Sequence, residues 1–318
     1  MIKFRPRDFI QTTDDLVFSA VSYSHTGDKI PGFLRYVPCA GGFKKVDTRQ
    51  ANKALKEHPE YLPPRGESEI PYHLVPVGRI KRIFYPEKRV PKIMNNAADD
   101  LEIKARRLIK IFSKEIPIEK IGVTGSILIG VHRPDSDIDL VIYGRKNFML
   151  ARDLLKKLIR GGIIDQLDEK EWEGAYRKRV GNKDPDYYTF EEFLQHEKRK
   201  FNKGVISGTK FDILMVLDDD EEDKAGKEKG WRKIGKIKLQ GVVEDDSYAF
   251  SYPARYGIWS IEGIRELISF THTYMGQAEN GEKIEVSGVL EEDEEGSRRV
   301  IVGTTREAVG EYIKVLEV

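Results

Sequence analysis

The sequence predicts an α+β protein, and three patterns along the chain support this prediction. Apolar residues recur at helical spacing in several segments, short apolar runs that favour strands lie between them, and the last part of the chain consists mainly of alternating runs bounded by turn residues. These patterns divide the chain into an N-terminal α/β domain at 1–90, a central domain at 91–222 and a C-terminal β-rich domain at 231–318. A length of 318 residues accommodates two or three such domains.

The N-terminal segment is predicted to contain strands at 16–23 and 32–37, which form a hairpin around the turn at 25–28. A helix is predicted at 46–57, with Asp47 or Thr48 as its N-cap. A further strand at 77–85 carries several basic residues. These positive charges could meet a nucleic-acid backbone, or they could form an ordinary solvated strand face. The residues are Arg79, Lys81 and Arg82.

The central segment is predicted to start with a helix at 91–114, with Pro91 in the first turn. Further helices are predicted at 148–160, ending at Gly161 and Gly162, and at 169–179 and 190–201. Basic residues of the last two helices could line a triphosphate or acceptor site, or they could form a charged helix face. They are Arg177, Lys178, Arg179, Lys198, Arg199, Lys200 and the nearby Lys203.

The C-terminal segment is predicted to form a small β-barrel-like domain, because alternating runs at 234–243, 267–274, 283–289 and 299–302 are separated by turn residues. A short helix is predicted at 306–312. Aromatic residues precede and follow one turn of this segment and could either stack on nucleic-acid bases or fill a core. They are Tyr248, Phe250, Tyr252, Tyr256 and Trp259.

The composition limits the class of protein. Lys and Arg number 54 and Asp and Glu 53, so a site for a polyanion must be a local patch. The single cysteine, Cys39, excludes an internal disulfide and a Cys-based zinc site, and it indicates a reducing compartment. Many Lys, Glu and Arg residues are typical of heat-adapted proteins. Without a signal peptide or an apolar run of roughly 18 residues, we expect a cytoplasmic protein with no membrane partner.

The segment from Ile121 to Tyr143 carries the strongest functional signal. A short apolar strand at 121–124 is followed by Gly125 and Ser126, which open a helical turn whose free N–H groups would face an anion such as a triphosphate. Asp137 and Asp139 then alternate with apolar residues, so both carboxylates lie on one face of a strand. Such a pair suits Mg²⁺ and substrate phosphates, although Asp-x-Asp alone also occurs as a surface acidic pair.

At these residues the chain resembles the DNA polymerase β-like nucleotidyltransferase superfamily, in the form of an archaeal-type nucleotidyltransferase. Its signature is Gly-Ser, a spacer and an Asp-x-Asp strand, with a third carboxylate on a later strand. The resemblance covers about residues 93 to 217, and it implies a mixed sheet with flanking helices as the core. Asp212, near the start of an apolar run at 211–217, matches the third carboxylate. A turn aspartate at the start of a strand is the alternative interpretation.

The resemblance implies that Asp137, Asp139 and Asp212 are catalytic and hold two Mg²⁺ ions, with Asp212 helping to deprotonate an acceptor hydroxyl. Gly125 and Ser126 would bind the β- and γ-phosphates of a nucleoside triphosphate (NTP), ATP among the candidates. The expected reaction transfers NMP to an acceptor hydroxyl on RNA, such as tRNA or another 3′ end, and releases pyrophosphate. The alternatives are AMP transfer to a protein or small-molecule hydroxyl and a non-catalytic nucleotide- or RNA-binding module. The sequence specifies neither the NTP nor the oligomeric state.

Overall fold

Three β-sheets organise the part of the chain that the computed structural model describes, which is residues 2–63, 72–180, 188–222, 231–304 and 310–316. The contacts divide the chain into two compact units. Unit 1 comprises Met1–Gln166 and Asn202–Glu222, and unit 2 comprises Leu167–Phe201 and Asp223–Val318. The chain is therefore of the mixed α+β class that the sequence predicts.

The N-terminal sheet of unit 1 is antiparallel, with strand order β4-β3-β2-β1-β6 and β5 paired to β3. Helix α1 (Thr48–Ala54) follows β4, and Asp47 caps it in a capping box with Gln50, as predicted. The predicted pairing around the turn at 25–28 is also confirmed. The strands are β1 (Phe9–Thr12), β2 (Val17–Ala20), β3 (Lys29–Cys39), β4 (Gly42–Lys45), β5 (His73–Pro76) and β6 (Ile80–Phe84).

The second sheet of unit 1 has four strands in the order β7-β8-β10-β9, and its central strands β8 and β10 run parallel. All the apolar residues of β8 are buried, so the sheet lies in the core of the unit. The strands are β7 (Ile121–Val123), β8 (Ile138–Tyr143), β9 (Lys203–Ile206) and β10 (Thr209–Val216). The helices in this part are α2 (Pro86–Asn95), α3 (Asp100–Phe112), α4 (Gly125–Leu128) and α5 (Arg145–Arg160).

The predicted helix at 91–114 is wrong, because two helices occupy this region. Pro86, and not Pro91, stands in the first turn of α2, where its missing N–H costs nothing, and Pro91 lies inside the helix. The Asp99 side chain then accepts a hydrogen bond from Glu102 N at 3.0 Å and caps the start of α3. The helix predicted at 148–160 is confirmed, with Gly161 at its end.

Unit 2 contains helices α6 (Glu169–Arg179) and α7 (Phe190–Arg199), both close to their predicted bounds, and the third sheet. Its strand pairings close a path through β11-β12-β13-β15-β14 and back to β11, with β16 paired to β14. The strands are β11 (Trp231–Tyr248), β12 (Ala254–Ser260), β13 (Glu266–Ser269), β14 (Lys283–Asp293), β15 (Arg298–Val302) and β16 (Tyr312–Val315). A short helix, α8 (Asp219–Glu222), ends the second segment of unit 1.

The sequence failed to predict two strands of this sheet. β12 lies in the aromatic stretch, where no strand was predicted. β16 includes Tyr312, which the prediction placed in a helix at 306–312. Residues 305–309 of that helix lie outside the described residues. Residues 167–201, predicted as part of the central domain, belong to unit 2, whereas the N-terminal sheet shares unit 1 with the second sheet. Whether the three predicted segments fold as separate domains stays a prediction.

Candidate active site

The register between β8 and β10 places Asp139 directly beside Asp212. Neighbouring strands lie about 4.8 Å apart, and residues in register on parallel strands share a face of the sheet. Asp137 immediately precedes β8 and is exposed, while Asp139 and Asp212 are half-buried. Asp139 and Asp212 are 73 residues apart along the chain, and the pairing of β8 with β10 brings them together.

The charges of these carboxylates act on one another. The pKa of Asp139 is raised to about 6, mainly by burial and next by the charge of Asp212, with a smaller contribution from Asp137. Two positive charges, those of Arg7 and Lys45, oppose this rise. An ionised Asp139 is therefore destabilised by its neighbours, and a divalent cation would remove that repulsion.

The donor set fits magnesium, which prefers carboxylate oxygens. The carboxylate oxygens of the three aspartates nevertheless lie farther apart than the ligand atoms around a single bound ion. In the described ranges, the group of three side chains whose ligand atoms all lie within 4.8 Å of one another is a different one, Asp14, His58 and Glu60. Mutual repulsion of three carboxylates favours such a spread, and bound cations favour a closer arrangement.

Gly125 brings the backbone against the Asp139 carboxylate. It follows Thr124 at the end of β7, and its φ of +68° lies in the left-handed region that favours glycine. A Cβ atom at this position would collide with Asp139 Oδ2. Thr124 N donates a hydrogen bond to Asp139 O at 2.9 Å, which holds the turn against β8. The Gly-Ser turn and the acidic strand thus form one site.

Comparison with known proteins relates the central part of the chain to a known family. Residues 105–206 match the family described as the nucleotidyltransferase domain. The chain is also 38% identical, over 346 aligned positions and 99% of each chain, to a protein of Methanocaldococcus jannaschii named uncharacterized protein MJ1086. The chain belongs to the polymerase β-like nucleotidyltransferase superfamily. The family match ends before Asp212, so the strand register is the independent evidence for the third carboxylate.

No solved structure matches the chain. Among the residues that the structure describes, none of the helices has the length and apolar character needed to span a membrane.

The N-terminal sheet packs on α4, the helix that begins with Gly125 and Ser126. Leu128 of α4 belongs to an apolar cluster with Phe9, Val17 and Tyr36 of that sheet. The pKa of Tyr36 is raised to about 12, mainly by burial, while the charge of Arg35 lowers it and that of Asp139 raises it. Sequence reasoning did not find these residues, because their only signal is a contact between segments that are far apart along the chain.

Several of the basic residues between positions 177 and 203 form ion pairs within unit 2. Arg179 contacts Glu197 at 3.2 Å and Arg199 contacts Glu282 at 2.6 Å, both within unit 2. Lys200 is buried against Glu197. For the helix residues, these contacts favour the interpretation as a structural helix face. Lys203 differs, because it lies on β9 in unit 1 and pairs in register with Asp212.

The strand residues Arg79 and Lys81 are also paired within the N-terminal sheet. Arg79 reaches Asp14 and Glu60, each at 3.5 Å, and Lys81 contacts Asp15 at 2.8 Å. Arg79 thereby supplies a positive charge to two members of the Asp14, His58 and Glu60 group, and Tyr61 donates a hydrogen bond to Asp14. The Asp14, His58 and Glu60 group is thus part of a polar network that includes Arg79.

The predicted aromatic stretch divides between the two interpretations. Phe250, Tyr252 and Tyr256 are buried in unit 2 and fill its core. Trp259, on β12, is 47% exposed. Tyr248 is half-buried, so Trp259 is the most exposed of the five aromatic residues.

Proposed function

We propose that the protein is a Mg²⁺-dependent nucleotidyltransferase that moves NMP from an NTP to an acceptor hydroxyl on RNA. The observation that carries this proposal is the register of Asp212 with Asp139 beside the Gly125-Ser126 turn. The superfamily supports nucleotidyl transfer in general, and the carboxylate set supports the use of a divalent metal.

Asp137, Asp139 and Asp212 would hold Mg²⁺, which when bound would stabilise negative charge on the attacking and leaving oxygens. Gly125 and Ser126 would bind the phosphates that leave as pyrophosphate. The acceptor oxygen forms a bond to the α-phosphorus, the bond from that phosphorus to the bridging oxygen breaks, and Asp212 assists removal of the hydroxyl proton.

Two features of unit 2 support RNA as the acceptor. Five strands of its sheet, β11, β12, β13, β15 and β14, pair in a closed path. In five-stranded Greek-key barrels that bind oligonucleotides, the second and third strands carry the binding face. β12 is the second strand of this path, and it carries the exposed Trp259, which could stack on an unpaired base.

The test is to incubate the full chain with Mg²⁺ and each of the four NTPs, labelled at the α-phosphate, together with total RNA. We expect label on RNA with a preferred NTP, and less labelling by Trp259→Ala than by Trp259→Phe, which retains a stacking ring. Label on the protein itself or on a small molecule would support the alternative AMP transfer. Absence of transfer to any acceptor, with NTP binding retained, would favour a non-catalytic nucleotide-binding module.

A further inference from the structure

Arg7 occupies a constrained turn immediately before β1. Its φ of +78° lies in the left-handed region, which residues with a side chain seldom adopt. Three hydrogen bonds hold this turn: Arg7 N donates to Ala20 O at 3.1 Å, Asp8 N donates to Arg5 O at 3.1 Å, and Arg5 N donates to Asp8 Oδ2 at 2.9 Å. Residues held in such rarely adopted backbone conformations cluster at binding sites, which makes Arg7 a candidate for a role in binding.

The Arg7 turn is attached to the Gly-Ser turn. Thr124 Oγ1 donates a hydrogen bond to Arg7 O at 2.8 Å, and Thr124 directly precedes Gly125. The same threonine is buried, and its N–H is bonded to Asp139 O. One residue therefore ties the backbone of Arg7 both to the strand of Asp139 and to the start of α4.

Lys45 approaches from another strand of the N-terminal sheet. It ends β4 and pairs in register with Tyr36, and it shares a strand face with Phe43. Phe43 and Tyr36 both belong to the apolar cluster around Leu128 of α4, so this face of the sheet is turned toward α4. Lys44 lies on the opposite face of the same strand.

Arg7 therefore lies beside the Gly-Ser turn through its bond to Thr124, and Lys45 lies on the sheet face that is turned toward α4. Both residues come from the N-terminal sheet or the turn that leads into it, outside the matched domain at 105–206. Two cations beside a Gly-Ser turn suit a polyphosphate, and a guanidinium can bind two phosphate oxygens at once. Neutralising the carboxylates is the alternative role, and it predicts a similar change in affinity for AMP, ATP and pyrophosphate, because the potential of the whole site would change.

We propose that Arg7 and Lys45 form a polyphosphate subsite, supplied by the N-terminal sheet, that binds the β- and γ-phosphates of the NTP and then the departing pyrophosphate. This inference rests on the proposed nucleotidyl transfer and deepens it. It assigns to the N-terminal sheet a direct part in substrate binding.

The test measures binding of ATP, inorganic pyrophosphate and AMP to the full chain by calorimetry in Mg²⁺, for wild type, Arg7→Gln, Arg7→Lys, Lys45→Gln and the matched control Lys44→Gln. We expect Arg7→Gln and Lys45→Gln to weaken ATP and pyrophosphate binding about tenfold each, because each loses a charged hydrogen bond to phosphate. AMP affinity should stay within about twofold, and Lys44→Gln should bind all three probes like wild type. Arg7→Lys should recover part of the loss.

Lys45 is exposed at the end of a strand, so Lys45→Gln retains the fold even where a change at Arg7 disturbs its turn. Wild-type affinity for ATP and pyrophosphate in a folded Lys45→Gln and Arg7→Gln would overturn the subsite. An equal loss of AMP affinity would also overturn it, since the contact would then not be to the departing phosphates. If the variants weaken pyrophosphate binding but wild type transfers no nucleotide, the proposed reaction fails and the subsite stands.

Discussion

Two groups of charged side chains in this protein are built in opposite ways. In unit 2, buried Glu197 contacts Lys200 at 2.6 Å and Arg179 at 3.2 Å, and Lys200 donates a further hydrogen bond to Thr273 O at 2.6 Å. In unit 1, Asp139 and Asp212 stand side by side with charges of the same sign. An ion pair buried within the chain stabilises one conformation of that chain. Like charges held close together instead favour binding of a ligand of opposite charge.

The largest expected effect is on catalysis. Asp139→Asn should reduce nucleotidyl transfer by about 1,000-fold or more, because it removes a charged ligand at the reacting phosphate. Its melting temperature should equal or exceed that of wild type, since the substitution removes a repelled charge. Transfer assays and thermal melts without metal measure the two effects. The control is Asp135→Asn, at an exposed turn position, and a loss of stability in Asp139→Asn with retained activity would contradict the comparison.

The paired group should respond in the opposite way. Glu197→Gln leaves buried Lys200 without its charged partner and should cost about 3 kcal/mol of unfolding free energy. Glu173→Gln, which breaks an exposed pair with Arg177, should cost less than about 0.5 kcal/mol. Urea denaturation measures both, and equal midpoints would show that burial does not separate the two pairs.

The Gly-Ser turn gives the next effect in size. Gly125→Val should reduce transfer on the order of 100-fold, because its Cβ would push the Asp139 carboxylate aside and its backbone would be strained. Ser126→Ala should have the smaller effect, since it removes one hydroxyl and leaves the backbone in place. Steady-state kinetics on the two variants distinguish backbone approach from hydroxyl contact, and equal losses would show that the hydroxyl dominates.

The sequence pattern at 137–142 was sufficient to predict that Asp137 and Asp139 lie on the same face of a strand. Asp137 and Asp139 alternate with apolar residues, and this period belongs to the strand itself. Asp212 required the resemblance, since nothing local links it to β8. Arg7 and Lys45 could not be predicted at all, because their approach to Asp139 depends on how a separate sheet packs against α4.

The errors in the fold have similar causes. Helical spacing continues on both sides of the break between α2 and α3, and the prediction took Pro91 as a start because proline suits a first turn. The assignment of α6 and α7 to unit 2 depends on contacts such as the one between His196 and Val315, where Val315 N donates to His196 Nε2 at 3.1 Å. Such long-range pairs have no signature in either segment alone.

The smallest expected effect is on stability as a function of pH. Asp139 has a folded pKa of about 6, above its ordinary value of 3.8, so its contribution to stability is present below pH 3.8 and is lost as pH rises through 6. His196 has the opposite sign. Burial lowers its pKa from 6.5 to about 4, so its contribution is present above pH 6.5 and is lost as pH falls through 4.

Metal-free melts of wild type and Asp139→Asn from pH 4 to pH 7 separate these two groups, because only one is changed. The variant should match wild type near pH 4 and become the more stable of the two by pH 7. Parallel curves across this range would show that Asp139 ionises without hindrance.

We propose that Asp137, Asp139 and Asp212 together bind divalent metal, and Mn²⁺ binding tests this most directly. Mn²⁺ is titrated into the full chain with ATP and followed by electron paramagnetic resonance, in wild type, Asp139→Asn and Asp14→Asn. Asp14 belongs to the other group with metal-ligand spacing among the described residues. We expect wild type and Asp14→Asn to bind two ions per chain with the same affinity, and Asp139→Asn to lose at least one. Unchanged binding by Asp139→Asn, or a loss in Asp14→Asn alone, would contradict the claim.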